Sequence, residues 1–452
     1  MKSAPYFLAA IAGCLITVWP IPETIALRYL FLVAGCILSI YTIKNNRDIV
    51  FSRNSGHIWL LFSFFLWLTI HILVFSNKFD EQLYEFKGTW VRVLLSAICG
   101  VALGLSLSQI KRKNESEILE KVIIAGFYGA PIIYFLRYVY EIYATGNWVH
   151  TNFYMHPYLS KTTVVVFGSL LLPLIFIKIL QSDGDKGRNL WVPVGIFGIL
   201  LVLFAEYFSD TKNGVGFFIL ALIIFVLNFL KDSKFSTVAA ARTPSIIFII
   251  LACTLIPYGL VKHIESNAAW DTPWADFKIG LDIEKYEYWK NNVIYDAPNN
   301  EYGVRVSTTI YERTAWIVAG LKLIKENPQG YGLLHHSFGA LAADKWPDFK
   351  TQNASGKTRG STHSAWVDFT LGLGIPGLAL VILPLWISFF RALQRKGFWY
   401  TYICWAVPLI TAIYLTTEVA FDYFFEFLFF MTALFCGLTL QKPEQVTKFT
   451  HS

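Results

Sequence analysis

The apolar residues of this chain are grouped into long blocks, and most polar residues lie in short stretches between the blocks. A helix that crosses a bilayer needs about 20 apolar residues, and twelve blocks come near that length. They lie near residues 5–21, 25–43, 57–75, 89–110, 119–142, 159–180, 191–208, 214–230, 244–262, 375–393, 399–417 and 421–440. The pattern predicts an all-α, polytopic transmembrane bundle of about 12 spanning helices.

The composition agrees with a membrane protein. Hydrophobic residues make up 55% of the chain and charged residues 15%, whereas a soluble domain has about 25% charged residues. The net charge of +7 is compatible with nucleic acid binding, but the basic residues are clustered between apolar blocks, which is typical of membrane topology. Membrane lipids are therefore the expected partner, and nucleic acid is not.

The basic clusters also predict the orientation. If the N-terminus is cytoplasmic, each cytoplasmic connection carries at least three basic residues, as the positive-inside rule requires. These are Lys44, Arg47 and Arg53; Lys111, Arg112 and Lys113; Lys178, Lys186 and Arg188; Lys231, Lys234 and Arg242; and Arg391, Arg395 and Lys396. Both termini are predicted to be cytoplasmic.

One long polar connection, residues 263–362, is predicted on the outer side, between helices 1–9 (1–262) and the last three helices (363–452). Such long loops usually have a function. Thr309 and Glu312 read as a capping box that opens a helix ending at Asn327. Its predicted apolar stripe consists of Ile310, Ile317, Leu321 and Ile324. The helix is too charged to span, so we expect it to lie on the membrane or to cap the bundle.

Several cations lie inside apolar blocks or at their outer ends, where charge is costly and needs a reason. They are Arg28, Arg92, Arg137, Lys161 and Lys212. Any one of them could extend its charge to the lipid headgroups. Five cations at one depth would also suit an anionic ligand such as a lipid pyrophosphate, because guanidinium groups match phosphate oxygens.

Four short motifs near the end of the long loop resemble a known family. They are Arg313-Thr-Ala-Trp316, Asn327-Pro-Gln-Gly-Tyr-Gly332, Thr362-His-Ser364 and, after nine intervening residues, Gly374-Ile-Pro-Gly377. The arrangement resembles the bacterial O-antigen ligase and polymerase family, and the His-Ser spacing fits the ligases. A further family element, Ser/Thr-Arg-Gly, is matched approximately by Thr211-Lys-Asn-Gly214, with lysine in place of arginine. Leu378-Ala379 stands where ligases often have two threonines. The resemblance covers about residues 205–390.

The resemblance implies a glycosyltransferase without a cofactor. It would transfer a polysaccharide from undecaprenyl pyrophosphate to a sugar hydroxyl of lipid A-core at the periplasmic face of the bacterial inner membrane. Direct attack by the acceptor predicts inversion at the anomeric carbon. We also expect the transfer to need no metal, because the predicted outer surface offers no convincing Asp/Glu/His ligand set. His363 would be the base, and Arg313 the main contact to the phosphates. The other candidate phosphate contacts are Lys212, Arg137, Lys161, Arg305, Arg92 and Arg28.

Three alternatives stay open. His363 could have a local structural role at a helix N-terminus. An O-antigen polymerase or a protein O-oligosaccharyltransferase would use a similar site with another acceptor. A transporter or lipid flippase would also contain intramembrane charges. Broken helices with midplane charges and matching halves would favour transport, whereas this sequence has no half-repeat and its charges lie near one face.

Overall fold

The computed structural model describes residues 3–76, 78–110, 112–146, 161–181, 184–209, 211–231, 261, 272–332, 337–350, 360–417 and 422–440. These residues fold mainly into helices. The helices are α1 (Ala4–Val18), α2 (Ile25–Asn45), α3 (Arg47–Val50), α4 (Gly56–Val74), α5 (Phe79–Glu85), α6 (Val91–Ser108), α7 (Lys113–Thr145), α8 (Lys161–Gln181), α9 (Gly184–Ser209), α10 (Lys212–Lys231), α11 (Pro273–Leu281), α12 (Thr308–Glu326), α13 (Ser337–Lys345), α14 (Ala365–Leu393), α15 (Phe398–Thr416) and α16 (Asp422–Leu438). An isolated antiparallel bridge pairs Asn299 with Arg305.

The predicted all-α, polytopic membrane fold is confirmed. Among the described residues, seven helices are long and apolar enough to cross a membrane, and four shorter apolar helices accompany them. Eleven of the twelve predicted segments coincide with these helices. The segment 244–262 lies outside the described residues except for residue 261, so the number of spans stays a prediction.

Successive long helices run back and forth between two ends of the bundle. At one end, Gln109 after α6 donates a hydrogen bond to Asn46 after α2 (2.9 Å). At the other end, Asn213 at the start of α10 donates to the carbonyl of Thr416 at the end of α15 (2.7 Å). The long loop joins the bundle at this second end, which we call the loop end.

The helices α6 and α16 approach each other closely through small residues. A Cβ added to Gly100 would lie 3.0 Å from the Leu434 nitrogen, and one added to Gly104 would lie 2.7 Å from the Leu438 nitrogen. Glycines four residues apart allow this distance between backbones in a membrane, where dispersion and polar contacts replace the hydrophobic effect between helices. The helices α6 and α16 therefore form a closely packed pair that extends from the loop end.

The described part of the long loop has a hydrophobic core of its own, which continues onto the bundle. The core residues are Ile283, Tyr288, Trp289, Val306, Tyr311, Ala315, Trp316, Ala319, Leu323, Ile324, Phe338, Ala342, Phe349, Val367 and Leu371. Val367 and Leu371 belong to α14, so the loop packs on the bundle. Burial raises the pKa of the Tyr311 phenol, which remains a donor to the carbonyl of Tyr286 (2.7 Å).

The predicted capping box at Thr309 is wrong, because α12 begins one residue earlier, at Thr308. Within the described part of the chain, the residue before the helix, Ser307, makes no side-chain capping bond. Its backbone N–H instead donates to the buried carboxylate of Asp276 (2.9 Å). A distant acid in the loop therefore fixes the helix start, and a local pattern cannot reveal it.

The predicted apolar stripe of α12 is also largely wrong. Leu321 is 40% exposed, and Ile310 and Ile317 are only partly buried. The buried face consists of Tyr311, Thr314, Ala315, Trp316, Ala319, Gly320, Leu323 and Ile324. Small residues lie at its centre because α12 packs close to α14, and a search for bulky aliphatic residues overlooks such a face.

Candidate functional site

Two helix starts lie side by side at the loop end. Asn213, which follows Lys212 in α10, donates to the carbonyl of Thr416 (2.7 Å). The carbonyl of Thr417, the residue after Thr416, accepts a hydrogen bond from the backbone N–H of Ala365, the first residue of α14 (3.0 Å). The end of α15 therefore joins the starts of α10 and α14. The structure therefore brings the backbone of the Thr211–Gly214 motif close to that of the Thr362–Ser364 motif, about 150 residues away in the sequence.

His363 stands directly before α14 in an unusual backbone conformation. Its φ is +56°, in the left-handed region, which costs a non-glycine residue about 1–2 kcal/mol. Its ring stacks on the indole of Trp316, with centroids 5.5 Å apart and planes inclined by 29°. Such strain persists only where the surroundings impose it, and strained residues cluster at functional sites.

Arg313 comes to the same neighbourhood through α12. It lies three residues before Trp316, and residues at this spacing share a face of a helix. The helix packs against Val367 and Leu371 in the first part of α14, and Arg313 itself is partly buried. Trp316 of this motif stacks on the His363 ring, and Arg313 lies one helical turn before it.

The helix α14 is broken at Gly374, where φ is +71° and ψ 179°. The predicted start of this helix near residue 375 is wrong, since a half-helix from Ala365 precedes the break. At the break, residue 376 is proline and offers no N–H to the Gly372 carbonyl. Ile375, which follows the break, donates to Pro328 of the loop instead (2.9 Å).

The Pro-x-Gly-x-Gly turn of the loop, Pro328–Gly332, docks on this break. Tyr331 N–H donates to the Leu371 carbonyl, and Gly332 N–H donates to the Gly372 carbonyl, both at 2.7 Å. Gly330 has φ +91°, and a Cβ there would lie 2.6 Å from the Gly372 oxygen. The two glycine motifs are thus one structural junction, which attaches the loop to the bundle.

Two side chains of α4 support this junction, and sequence reasoning overlooked both. His71 Nε2 lies 3.0 Å from the Gln329 carbonyl, and Trp67 Nε1 donates to the Leu373 carbonyl (2.8 Å). They are four residues apart and so share a helix face. A histidine within an apolar block indicates a polar contact inside the bundle, but the neighbouring sequence does not identify the partner of His71.

Two of the arginines that were predicted to bind phosphate have polar partners within the protein. Arg92 is only 2% exposed and forms an ion pair with Glu426 of α16 (2.6 Å). Arg28 is buried and donates to the Ile21 carbonyl (2.8 Å) and the Thr24 hydroxyl (3.2 Å). These contacts stabilise the loop end, and a direct role in phosphate binding stays a prediction for both.

The other predicted cations lie in different surroundings. Arg137 forms an ion pair with Glu141, one turn further along α7 (2.7 Å). Arg305 is exposed in the loop. Lys161 and Lys212 begin neighbouring helices, because a Cβ on Gly214 of α10 would lie 3.1 Å from Val165 of α8. The helix starts at the two lysines are therefore close to each other, and phosphate contacts stay predictions for all four cations.

Sequence reasoning overlooked two buried acids at the loop end. Glu426 is fully buried beside Arg92 and also accepts a hydrogen bond from Trp19 Nε1 (2.8 Å). Glu206 of α9 is 3% exposed, and its Cγ lies 3.0 Å from the Cβ position of Gly214. An acid within an apolar block is costly and therefore indicates a buried polar contact, and Glu206 and Glu426 both lie in such blocks.

These features describe a multi-pass membrane protein with a candidate site where the folded loop meets the starts of α10 and α14. Residues 194–382 match the family model described as O-antigen ligase, so this stretch of the chain is similar to that family. The stretch contains Lys212, Arg313 and His363. A comparison with curated proteins finds no match. Members of that family are membrane ligases and polymerases of the glycosyltransferase type, so the match supports a general enzyme role.

Proposed function

We propose that the chain is an O-antigen ligase of the bacterial inner membrane, with its active site facing the periplasm. It would transfer a polysaccharide from undecaprenyl pyrophosphate to a sugar hydroxyl of lipid A-core. One observation carries the proposal: His363, held in a strained conformation, stacks on Trp316. The helix start at Lys212 and the Arg313 face of α12 lie at the same end of the bundle.

In this proposal the imidazole of His363 takes a proton from the acceptor hydroxyl. The acceptor oxygen attacks the anomeric carbon as the bond from that carbon to the pyrophosphate oxygen breaks. The electron pair of that bond leaves with undecaprenyl pyrophosphate, and the anomeric centre inverts. General-base assistance of this kind contributes about 100- to 10,000-fold.

The departing pyrophosphate gains negative charge, which the site would stabilise. Arg313 and Lys212 are the proposed contacts, with Lys161 beside Lys212 and Arg305 at the exposed rim. The N-terminal end of α14 would add a partial positive charge, because the positive end of its backbone dipole lies at the site. Arg28, Arg92 and Arg137 have acceptors within the bundle and would act mainly by supporting the site.

The test uses the purified full-length protein in liposomes with lipid-linked polysaccharide, lipid A-core and a metal chelator. We expect polysaccharide on lipid A-core, with inverted linkage and an undiminished rate in chelator. Longer polysaccharide on the carrier lipid would identify a polymerase instead, and transfer to a protein hydroxyl an oligosaccharyltransferase. Movement of the carrier lipid across the bilayer without transfer would identify a flippase.

A further inference from the structure

An acid in the first turn of α14 reaches back to the residue before His363. The carboxylate oxygen Oδ1 of Asp368 accepts a hydrogen bond from the backbone N–H of Thr362 (2.8 Å). The same oxygen accepts a second one from the Thr362 hydroxyl (2.9 Å). Thr362 is fully buried and Asp368 is 7% exposed. Charge-assisted bonds out of contact with water are strong and directional, so this pair holds the chain firmly just before His363.

The residue after His363 is fixed as well. The hydroxyl of Ser364 donates to the Leu415 carbonyl (2.6 Å), and its backbone N–H lies 3.3 Å from the Thr362 hydroxyl oxygen. The Thr362 hydroxyl therefore contacts the residue on the far side of His363. With both neighbours held, His363 cannot leave the left-handed region without breaking these hydrogen bonds.

We propose that Asp368 is a positioning residue of the transfer reaction. Through Thr362 it would keep the His363 backbone left-handed and the imidazole against Trp316, so that the ring nitrogen meets the acceptor hydroxyl in one orientation. The inference rests on the proposed role of His363. A carboxylate that merely stabilised the start of α14 would affect protein stability but would not selectively change the turnover rate.

The test compares Asp368→Ala, Thr362→Val and Thr362→Ser in the full-length protein in liposomes. Asp282→Ala is the control, because it removes an exposed carboxylate from the loop. Misplacement of a reacting group by about 1 Å can cost about 100-fold in rate, so we expect a kcat loss of about that size for Asp368→Ala, with the donor KM unchanged. Thr362→Val should lose part of the rate, whereas Thr362→Ser, which keeps the hydroxyl, should match the wild type.

Hydrogen exchange of the Thr362 and Ser364 amides gives a readout that does not depend on activity. Asp368→Ala should accelerate exchange at these two amides and leave the amides of α14 beyond the first turn unchanged. Wild-type kcat in Asp368→Ala, or a lower kcat without faster local exchange, would overturn the proposal. If Asp368→Ala fails to accumulate, equal kcat in Thr362→Val and Thr362→Ser overturns it. An active His363→Ala variant would refute the base assignment instead, while the exchange data would still report on the Asp368–Thr362 contact.

Discussion

Gly330→Ala is expected to detach the loop from the bundle. Gly330 lies where the loop turn crosses the break in α14, with φ +91°. An added Cβ would stand 2.6 Å from the Gly372 oxygen and 2.8 Å from the Leu373 carbonyl carbon. Both are backbone atoms, so no flexible side chain can move aside.

The magnitude follows from two costs. The left-handed conformation costs an alanine about 1–2 kcal/mol, and overpacking against fixed atoms typically costs about 1–3 kcal/mol. The turn can escape the clash only by giving up the hydrogen bonds of Tyr331 and Gly332 to α14, each worth about 0.5–1.5 kcal/mol. We therefore expect roughly 2–5 kcal/mol of lost docking energy.

Gly303→Ala is the matched control. Gly303 also has a positive φ, +74°, but no described heavy atom beyond its chain neighbours lies within 4 Å of its Cβ position. The assay combines hydrogen exchange of residues 328–332 with polysaccharide transfer. Gly330→Ala should expose the turn to exchange and abolish transfer, whereas Gly303→Ala should do neither. Equal exchange and transfer in the two variants would refute the junction as the attachment of the loop.

Three further predictions follow from the site and the topology. Arg92→Ala should lower the free energy of unfolding by about 3–5 kcal/mol, because it leaves the Glu426 charge buried and unpaired. Thermal unfolding of the purified variant checks this. Wild-type stability with a raised donor KM would instead support a phosphate contact. Lys212→Arg should retain transfer and Lys212→Ala should raise the donor KM, and an unchanged KM in the alanine variant would remove Lys212 from the site. A cysteine at the exposed Asn299 should react with a membrane-impermeant thiol reagent in spheroplasts, since the positive-inside rule places the loop outside; failure to label beside a labelled outer control would reverse the orientation.

The sequence predicted the helical segments well, because spanning length and apolar continuity are properties of local stretches. Eleven of the twelve segments coincide with helices in the described part of the chain. The motif spacing also singled out His363, whose strained backbone the structure then revealed. His363, Arg313 and Lys212 as functional residues stay predictions that the geometry supports.

Long-range pairings could not be predicted from the sequence. The Glu426 that neutralises Arg92 is 334 residues away, and the Asp276 that fixes the start of α12 is 31 residues before Ser307. The apolar block predicted near 375–393 covers only the second part of α14, which the break at Gly374 separates from the first part. Only the docked loop turn shows that the helix is broken there and continues on both sides.

His363→Asn distinguishes a catalytic from a structural role of His363. Asparagine tolerates the left-handed region better than most residues, so this variant keeps the backbone conformation and removes the base. With normal membrane levels and retained binding of lipid pyrophosphate, we expect transfer to lipid A-core to fall by about 100- to 10,000-fold. Transfer at a near wild-type rate would contradict the account, because His363 would then be a structural residue.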